Sequence, residues 1–423
     1  MPETTPSSAA QTTAPSVATG TGRPRLAWLD ALRGIGAMAV VAEHMLQWTA
    51  PSLRPYWFNL GMYGVLVFFL VSGYIIPRSL EHRGDVRTFW VSRLFRLYPI
   101  YLLVIAVALA TAYWMPIRPA VQRDISAVAA HITMLMDVVD GAGVVDTMWT
   151  LSYEMVFYLL VTALFTAGLH RRSGPIAIGF GVGAVGTGLV VTAPLLPGPP
   201  AAVVSAVVFV AGLACLIGGR WRVPAAYLLG AMALVLLLTG ARVIWFGAAI
   251  LAVMFAGTAI YRWERGEGTL WPVAAVAVLV GVAPVWAIQA GWWWVQPGPW
   301  LTTLALSAAT FAGAMALRNR RVPRVLVWLG LISYSVYLLH HPVLRWVPEI
   351  MGDVRTADAV VQAAVIAGYL AVTLALSRLT YGLVELPMQR LGRRVGARLA
   401  QRGKLAPGVS LPGPARAETV TNR

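Results

Sequence analysis

The chain has few charged residues and almost no cysteine. Only 12% of its 423 residues are Asp, Glu, Lys or Arg, whereas 58% are hydrophobic. A soluble protein of this length cannot bury so much apolar surface in one core, so a soluble globular fold is excluded. The single cysteine, Cys215, excludes disulfides within the chain. Its position inside an apolar run is typical of a small core residue and not of a nucleophile.

Acidic residues are scarcer than basic ones. The chain has 17 Asp and Glu against 33 Lys and Arg, which gives a formal net charge of +16. The sequence contains no soluble module in which basic and aromatic residues are interleaved, so we expect no nucleic-acid partner. The positive charge instead predicts attraction to the anionic headgroups of a lipid bilayer.

Long apolar runs, by contrast, fill most of the chain. Those long enough to cross roughly 30 Å of hydrocarbon are 31–48, 60–77, 97–115, 147–168, 174–193, 200–218, 224–240, 242–261, 270–288, 299–317, 327–346 and 357–380. The sequence therefore predicts an all-α, polytopic transmembrane helix bundle of about 10 to 12 spans in the plasma membrane.

Arginines gather in alternate connections between these runs, for example in 78–96 and 390–398. The positive-inside rule places these connections, and both chain termini, in the cytoplasm. Residues 1–22 are predicted to be a disordered cytosolic tail, because they lack the basic and apolar regions of a signal peptide. Residues 399–423 are predicted to form a second such tail, which leaves 23–398 as the transmembrane domain.

The first apolar run carries four ionisable side chains, Asp30, Arg33, Glu43 and His44. Such a group costs at least a few kcal/mol at membrane depth, so these residues are functional-site candidates. Arg33 and His44 are eleven residues apart. This spacing puts them within roughly 20° of each other on one helix face and about 16 Å apart along it.

A second basic cluster, Arg93 and Arg96, lies just before the third apolar run. The two residues are three positions apart and share a helix face. Paired guanidiniums bind phosphate oxygens bidentately. A stop-transfer cluster that binds lipid phosphate is the alternative interpretation. The presence of Arg33 on the same side of the membrane favours a soluble phosphate ligand.

Helix rise predicts that three ionisable groups share one depth. At 1.5 Å per residue, His44 lies roughly 20 Å above the inner boundary of the membrane and His340 roughly 22 Å above it. Glu154 enters from the opposite side and lies about 10 Å below the outer boundary. The sequence therefore predicts that His44, Glu154 and His340 meet in the outer third of the membrane.

Six sequence motifs together are typical of one known family. They are LDALRG at 29–34 with His44, SGYI at 72–75, RLFRLYP at 93–99, WTL at 149–151 with Glu154, SYSVYLLHHP at 333–342 and ELP at 385–387. With them the chain resembles the membrane-bound acyltransferase 3 family, whose members transfer acyl groups to sugar hydroxyls of surface glycans or secreted natural products. The span from 170 to 320 carries no such motif.

The resemblance implies that 23–398 is an acyltransferase domain, that acyl-CoA is the donor and that no cofactor is permanently bound. In this interpretation Arg93 and Arg96 hold the phosphates of CoA and Arg33 guides its entry into the bundle. The small residues at 72–73 favour close helix packing, and a hydrogen bond from Tyr74 to the acyl carbonyl is the second interpretation of this motif.

A neutral imidazole is well suited to accept a proton from an alcohol near pH 7, so His44 is the predicted general base. Glu154, Asp30 or His340 would orient it or balance its charge. A covalent acyl-histidine intermediate is the competing mechanism. No His, Cys and carboxylate spacing predicts a metal site.

The acceptor and one alternative function remain open at this point. The acceptor is a hydroxylated glycan of the cell envelope or a glycosylated natural product, such as an antibiotic. The alternative is a proton-coupled transporter or flippase in which His44, Glu154 and His340 form a relay. Three consecutive tryptophans at 292–294 are typical of an aromatic belt at the outer membrane surface, and a platform for sugar stacking is the second interpretation.

Overall fold

A computed structural model of the protein describes residues 26–405, and within this range the regular structure is entirely helical. The α-helices are α1 Ala27–Thr49, α2 Leu60–Arg83, α3 Val86–Ala110, α4 Ile125–Thr133, α5 Trp149–Thr166, α6 Ser173–Val190, α7 Gly198–Gly218, α8 Arg222–Val235, α9 Ile244–Glu264, α10 Trp271–Val282, α11 Pro297–Ala316, α12 Arg324–Met351, α13 Ala359–Thr380 and α14 Leu386–Leu405. The predicted N-terminal tail lies outside the described residues.

Every predicted span overlaps one of these helices. Within residues 26–405, however, 9 helical stretches are long and apolar enough to cross a membrane, fewer than the 10 to 12 spans predicted. The prediction of an all-α polytopic membrane bundle is therefore confirmed. Helix α1, which carries Asp30, Arg33 and Glu43, is not among these nine. It is held between α2 and α12, which supply its main contacts.

Helix α9 lies at the centre of the bundle. In its most apolar stretch of 18 residues, 94% of the residues are buried. It packs against α2 and α6, while α12 lies along α1. Helix α3 starts earlier than predicted, at Val86, because the Asp85 side chain accepts hydrogen bonds from the backbone amides of Arg87 and Thr88. The paired arginines that follow therefore lie inside α3.

The segment between α3 and α5 folds into the bundle. Its side chains at Met134, Leu135 and Met136 are fully buried. The His131 ring holds this segment closed, because its Nδ1–H donates to a backbone carbonyl at 2.7 Å and its Nε2 accepts from the Val144 amide at 3.1 Å. As a result α5 begins within the bundle and not at its surface.

The C-terminal helix α14 extends to Leu405, beyond the predicted domain boundary at 398. It packs on α3, where a Cβ at Gly392 would lie only 2.6 Å from the Phe95 side chain. A π-helical turn, Tyr381–Glu385, joins it to α13 and buries the carboxylate of Glu385. Residues 406–423 of the predicted tail lie outside the described residues.

Gly330 sets the distance between α1 and α12. A Cβ at this position would lie 1.8 Å from the carbonyl oxygen of Asp30, so any side chain forces the two helices apart. We expect Gly330→Ala to lower the free energy of unfolding by about 1–3 kcal/mol, the usual cost of overpacking. Thermal unfolding of the detergent-solubilised protein, followed by circular dichroism, measures this change. Gly313→Ala is the control, since nothing lies within 4 Å of a Cβ there. Equal unfolding midpoints for both variants would contradict the prediction.

Candidate active site

Three cavities follow one another through the bundle, beginning at its arginine-rich end. The first, here named the arginine cavity, has a volume of about 410 Å³. Its wall includes Asp30, Arg33, Arg78, Arg96 and Glu385. It lies where the start of α1, the end of α2 and the start of α14 come together.

The other two cavities continue this path. The middle cavity is small, about 80 Å³, and shares Arg33 and Arg96 with the arginine cavity. Val65 and Tyr337 line both the middle cavity and a third space of about 470 Å³, here named the histidine cavity because His44 forms part of its wall. A chain of cavities thus links the arginines to His44, with Val65 and Tyr337 at the last constriction.

His44 and His340 are in direct contact. Nε2 of His340 lies 3.2 Å from Nδ1 of His44, although 296 positions separate them in sequence. Each Nδ1 also lies 3.0 Å from a carbonyl oxygen one helical turn earlier, that of Val40 for His44 and that of Val336 for His340. The backbone of His340 is fixed in turn, since the Tyr369 hydroxyl donates to its carbonyl at 3.0 Å.

These contacts assign the tautomers of the two rings. A carbonyl only accepts, so Nδ1 of His340 must carry hydrogen, and in a neutral imidazole its Nε2 is then an acceptor. His44 Nδ1–H donates to that Nε2 and to the Val40 carbonyl. The proton on His44 is therefore held at Nδ1, and Nε2 of His44 keeps a free lone pair. A nitrogen in this state can accept a proton from a hydroxyl in the histidine cavity.

Other residues near His44 had been given no catalytic or binding role from the sequence. The His341 ring meets His44 edge-on, with ring centroids 5.4 Å apart. Glu43 is buried in an ion pair with Arg54 and accepts a second hydrogen bond from Asn59. His341 had a sequence signal, because it directly follows His340 in the 333–342 motif. Arg54 had none, since it lies in a connection with no motif.

Glu154 does not join the histidines. It lines the middle cavity together with Arg33, Arg93 and Arg96, and its carboxylate accepts a hydrogen bond from the Tyr158 hydroxyl. The predicted meeting of three ionisable groups in one plane is therefore correct for the two histidines and wrong for Glu154.

The start of α5 explains the difference. The prediction placed residue 147 at the outer membrane boundary, but Thr147 is buried and its carbonyl accepts a hydrogen bond from the Tyr337 hydroxyl at 3.1 Å. Tyr337 is on α12 just before His340, so Thr147 already lies near the level of the histidine pair. Glu154 is seven residues further along, about 10 Å closer to the arginine-rich end.

The predicted donor-binding arginines occupy two different environments. Arg93 is buried, with its guanidinium over the rings of Phe89 and Tyr158 at 5.1 and 5.2 Å. Arg33 and Arg96 are half-buried, line two cavities each, and form no ion pair or hydrogen bond within residues 26–405. Arg33 and Arg96 therefore offer their guanidiniums to a ligand, whereas Arg93 is held by aromatic rings.

Asp30 cannot orient His44. The two residues are fourteen positions apart on α1, which corresponds to about 21 Å. Asp30 instead lines the arginine cavity. The prediction that Asp30 orients the base is wrong. Although Asp30 and His44 both lie on α1, that helix crosses the membrane, so the two residues lie near opposite ends of it.

Tyr74 does not reach the cavities. Its ring is buried against Trp28, Tyr261 and Phe311, with centroids 5.5, 5.5 and 6.2 Å away. Its hydroxyl donates to Glu264 of α9. The predicted hydrogen bond from Tyr74 to an acyl carbonyl does not fit this placement, because the side chain is part of the contact between α2 and α9.

The ELP motif did not predict where Glu385 lies in the structure. Its buried carboxylate accepts hydrogen bonds from Ser335 and Gln389, each at 3.0 Å, and forms part of the arginine cavity. Among the described residues, no group of three His, Cys, Asp or Glu side chains is placed to hold a metal ion.

Comparison with known proteins places the chain. A family described as an acyltransferase domain matches residues 26–382. The chain belongs to this family. Acyltransferase MdmB of Streptomyces mycarofaciens is 25% identical over 88% of the chain and 93% of that protein. BcsY of Komagataeibacter xylinus is 26% identical over 84% of the chain and 81% of that protein. O-acetyltransferase OatA of Staphylococcus aureus is 29% identical over 34% of the chain and 25% of its own length. No solved structure matches the chain.

This membership and the site geometry bear on the transporter alternative. The protein is a multi-pass membrane acyltransferase. Glu154 lines a different cavity from His44, so the three side chains of the predicted relay do not form one cluster.

Proposed function

We propose that the protein is an O-acyltransferase of the plasma membrane that moves an acyl group from acyl-CoA to a sugar hydroxyl. The observation that carries this proposal is the His44–His340 pair at one end of a chain of cavities whose other end is lined by Arg33 and Arg96. The names of MdmB and OatA, an acyltransferase and an O-acetyltransferase, support the reaction type.

The donor enters at the arginine cavity. CoA carries phosphates at one end and a thioester at the end of a long flexible arm. Five arginines and three carboxylates line the arginine and middle cavities, namely Arg33, Arg78, Arg83, Arg93 and Arg96 with Asp30, Glu154 and Glu385. This excess of positive charge favours the phosphates, and the narrow middle cavity suits the arm.

His44 activates the acceptor at the far end of the route. Its Nε2 takes the proton from the acceptor hydroxyl as the oxygen attacks the thioester carbonyl. The carbon–sulfur bond of the resulting tetrahedral intermediate then breaks, and the CoA thiolate leaves with the proton that His44 had taken. The acyl group ends on the acceptor oxygen. Direct transfer fits the base role of a free Nε2, although the same lone pair serves the competing acyl-histidine route.

The acceptor class is tested in cells. Secreted metabolites and envelope glycans from deletion and complemented strains are compared by mass spectrometry. We expect one glycosylated product to lose the mass of an acyl group on deletion and to regain it on complementation. Identical spectra from both strains would contradict the proposed function.

We propose that His340 orients the His44 ring through their hydrogen bond. Two substitutions of His340 distinguish this role from simple packing. His340→Leu removes an acceptor for His44 Nδ1–H, and we expect kcat to fall by about 10- to 100-fold, by analogy with the hydrogen-bond partners that orient metal-binding histidines. His340→Gln keeps an oxygen that can accept this hydrogen bond, so we expect it to restore most of the lost rate. Acyl transfer by purified variants measures both. Equal rates for the Leu and Gln variants would show that His340 only fills space.

A further inference from the structure

The histidine cavity is lined by both aromatic and polar side chains. Five aromatic rings line it, those of Trp149, Phe246, Trp292, Trp293 and Trp294. Its polar lining includes Glu43, His44, Gln47, Arg54 and Asn59, and the Arg54 guanidinium lies 5.4 Å from the centre of the Trp293 ring. Ligand sites commonly combine apolar rings with a few placed polar groups in this way.

The aromatic side is a connected set of rings. Trp292 and Trp294 are stacked, with centroids 5.2 Å apart and an interplanar angle of 10°. The Phe246 ring contacts Trp294 at 5.6 Å and Trp149 at 5.8 Å. This mutual packing forms an apolar surface in the cavity that His44 also lines. A pyranose ring has one face of C–H groups and a rim of hydroxyls, so it suits a cavity lined by both aromatic rings and polar side chains.

The charges of this cavity are balanced, unlike those of the arginine cavity. Each arginine in its wall has a carboxylate partner. Arg54 pairs with Glu43, Arg118 pairs with Asp146 at 2.5 Å, and Arg242 lies 3.8 Å from Asp140. No arginine of this cavity is left without an acid, so an anionic ligand would gain little here and would meet the carboxylates at close range.

Glu43 supplies a polar group beside the base. It is buried, adjoins His44 in sequence and forms part of the cavity wall. Its Oε2 atom has no hydrogen-bond partner within residues 26–405 and is closed to solvent, with less than 1 Å² of accessible surface. Glu43 therefore adds a carboxylate to the wall beside the base, which disfavours an anionic ligand.

We infer that the histidine cavity binds an uncharged, polyhydroxylated sugar and discriminates against sugars that carry a carboxylate. The ring lies against the tryptophan wall, and its hydroxyls face Glu43 and His44. This inference rests on the proposed function and narrows its acceptor. It assigns Trp292 and Trp294 as specificity-determining residues for the acceptor, with no part in donor binding.

Matched sugars test the charge selection. Methyl glucoside, galactoside and mannoside are compared with the corresponding methyl uronosides by saturation-transfer difference NMR, using the whole protein in nanodiscs. We expect at least one neutral glycoside to bind at least about 10-fold more tightly than its uronoside, because the carboxylate must be desolvated without a free cation. The inference is overturned if every uronoside binds as tightly as its neutral partner, or if no neutral glycoside binds.

Three variants locate the site. Trp292→Ala and Trp294→Ala should each weaken binding of the neutral glycoside by about 10-fold. Trp286→Ala is the control, since this exposed tryptophan at the same end of the bundle does not line the cavity. Asp146→Asn leaves Arg118 without its acid and should raise affinity for the uronoside. Unchanged binding in both cavity variants would place the sugar elsewhere and contradict the assignment.

The binding measurement needs neither acyl-CoA nor turnover, so two failures can be told apart. Acylation of a uronoside by the wild-type protein as efficiently as of its neutral partner would overturn the charge selection and leave the proposed function standing. Binding of a neutral glycoside without acyl transfer to any sugar would do the reverse.

Discussion

His44→Ala should reduce acyl transfer by about 10²- to 10⁴-fold, the usual contribution of a positioned general base. The substitution removes Nε2, the nitrogen that accepts the hydroxyl proton, and leaves the arginine and middle cavities intact. We therefore expect the affinity for acyl-CoA to be unchanged while kcat falls. Transfer of a labelled acyl group by the purified variant measures the rate, and titration with acyl-CoA measures the affinity.

Two controls distinguish the loss of the catalytic base from misfolding. The variant must reach the wild-type level in the membrane and show a similar unfolding midpoint. His131→Ala provides a contrast, because His131 holds the segment between α3 and α5 and does not line the histidine cavity. We expect that variant to lose stability. Near wild-type transfer by His44→Ala at equal protein level would remove His44 from the mechanism.

Arg96→Ala should raise the KM for acyl-CoA by about 10- to 100-fold, since a charge-assisted hydrogen bond to phosphate contributes about 1.5–3 kcal/mol. Arg96 lines both the arginine and the middle cavity and makes no ion pair within residues 26–405. Its loss therefore removes a ligand contact without breaking an internal one. Arg96→Lys should restore the affinity only in part, because an ammonium lacks the planar fork of the guanidinium.

Two other arginines give the matched comparison. Arg93→Ala removes a guanidinium packed between two rings, so we expect it to lower stability as well as donor affinity. Arg321→Ala removes an exposed charge that lines neither cavity and should change neither. An unaltered KM for acyl-CoA in Arg96→Ala would show that the phosphates bind elsewhere.

The sequence predicted the helices well because the bilayer imposes their length. A span of hydrocarbon requires a long apolar run, and each predicted run coincides with a helix. The fixed rise per residue of a helix also allowed the depth of His44 and His340 in the membrane to be predicted, and both were placed at the same level. The cost of a lone ionisable group in the membrane then favoured their facing each other.

The failures have equally physical causes. Glu154 was placed too high because hydropathy does not reveal that the segment before α5 folds inward and starts that helix below the surface. Close packing at 72–74 was the first interpretation and is what the structure shows, whereas the second, a hydrogen bond from Tyr74 to the donor, failed because the sequence does not reveal that its hydroxyl meets Glu264 of α9. The ion pair of Arg54 with Glu43 could not be predicted either. Arg54 lies in a connection and Glu43 in a helix, and helical periodicity does not predict contacts of that kind.

The central claim is that donor and acceptor reach His44 from opposite ends of the bundle. Proteoliposomes with the protein in a single orientation test it most directly. Labelled acyl-CoA is supplied on one side and the acceptor identified by mass spectrometry on the other. We expect labelled product when acyl-CoA faces the arginine-rich end and the acceptor faces the tryptophan-rich end, and none when the two are exchanged. Product formed only when both substrates are on the same side would contradict it.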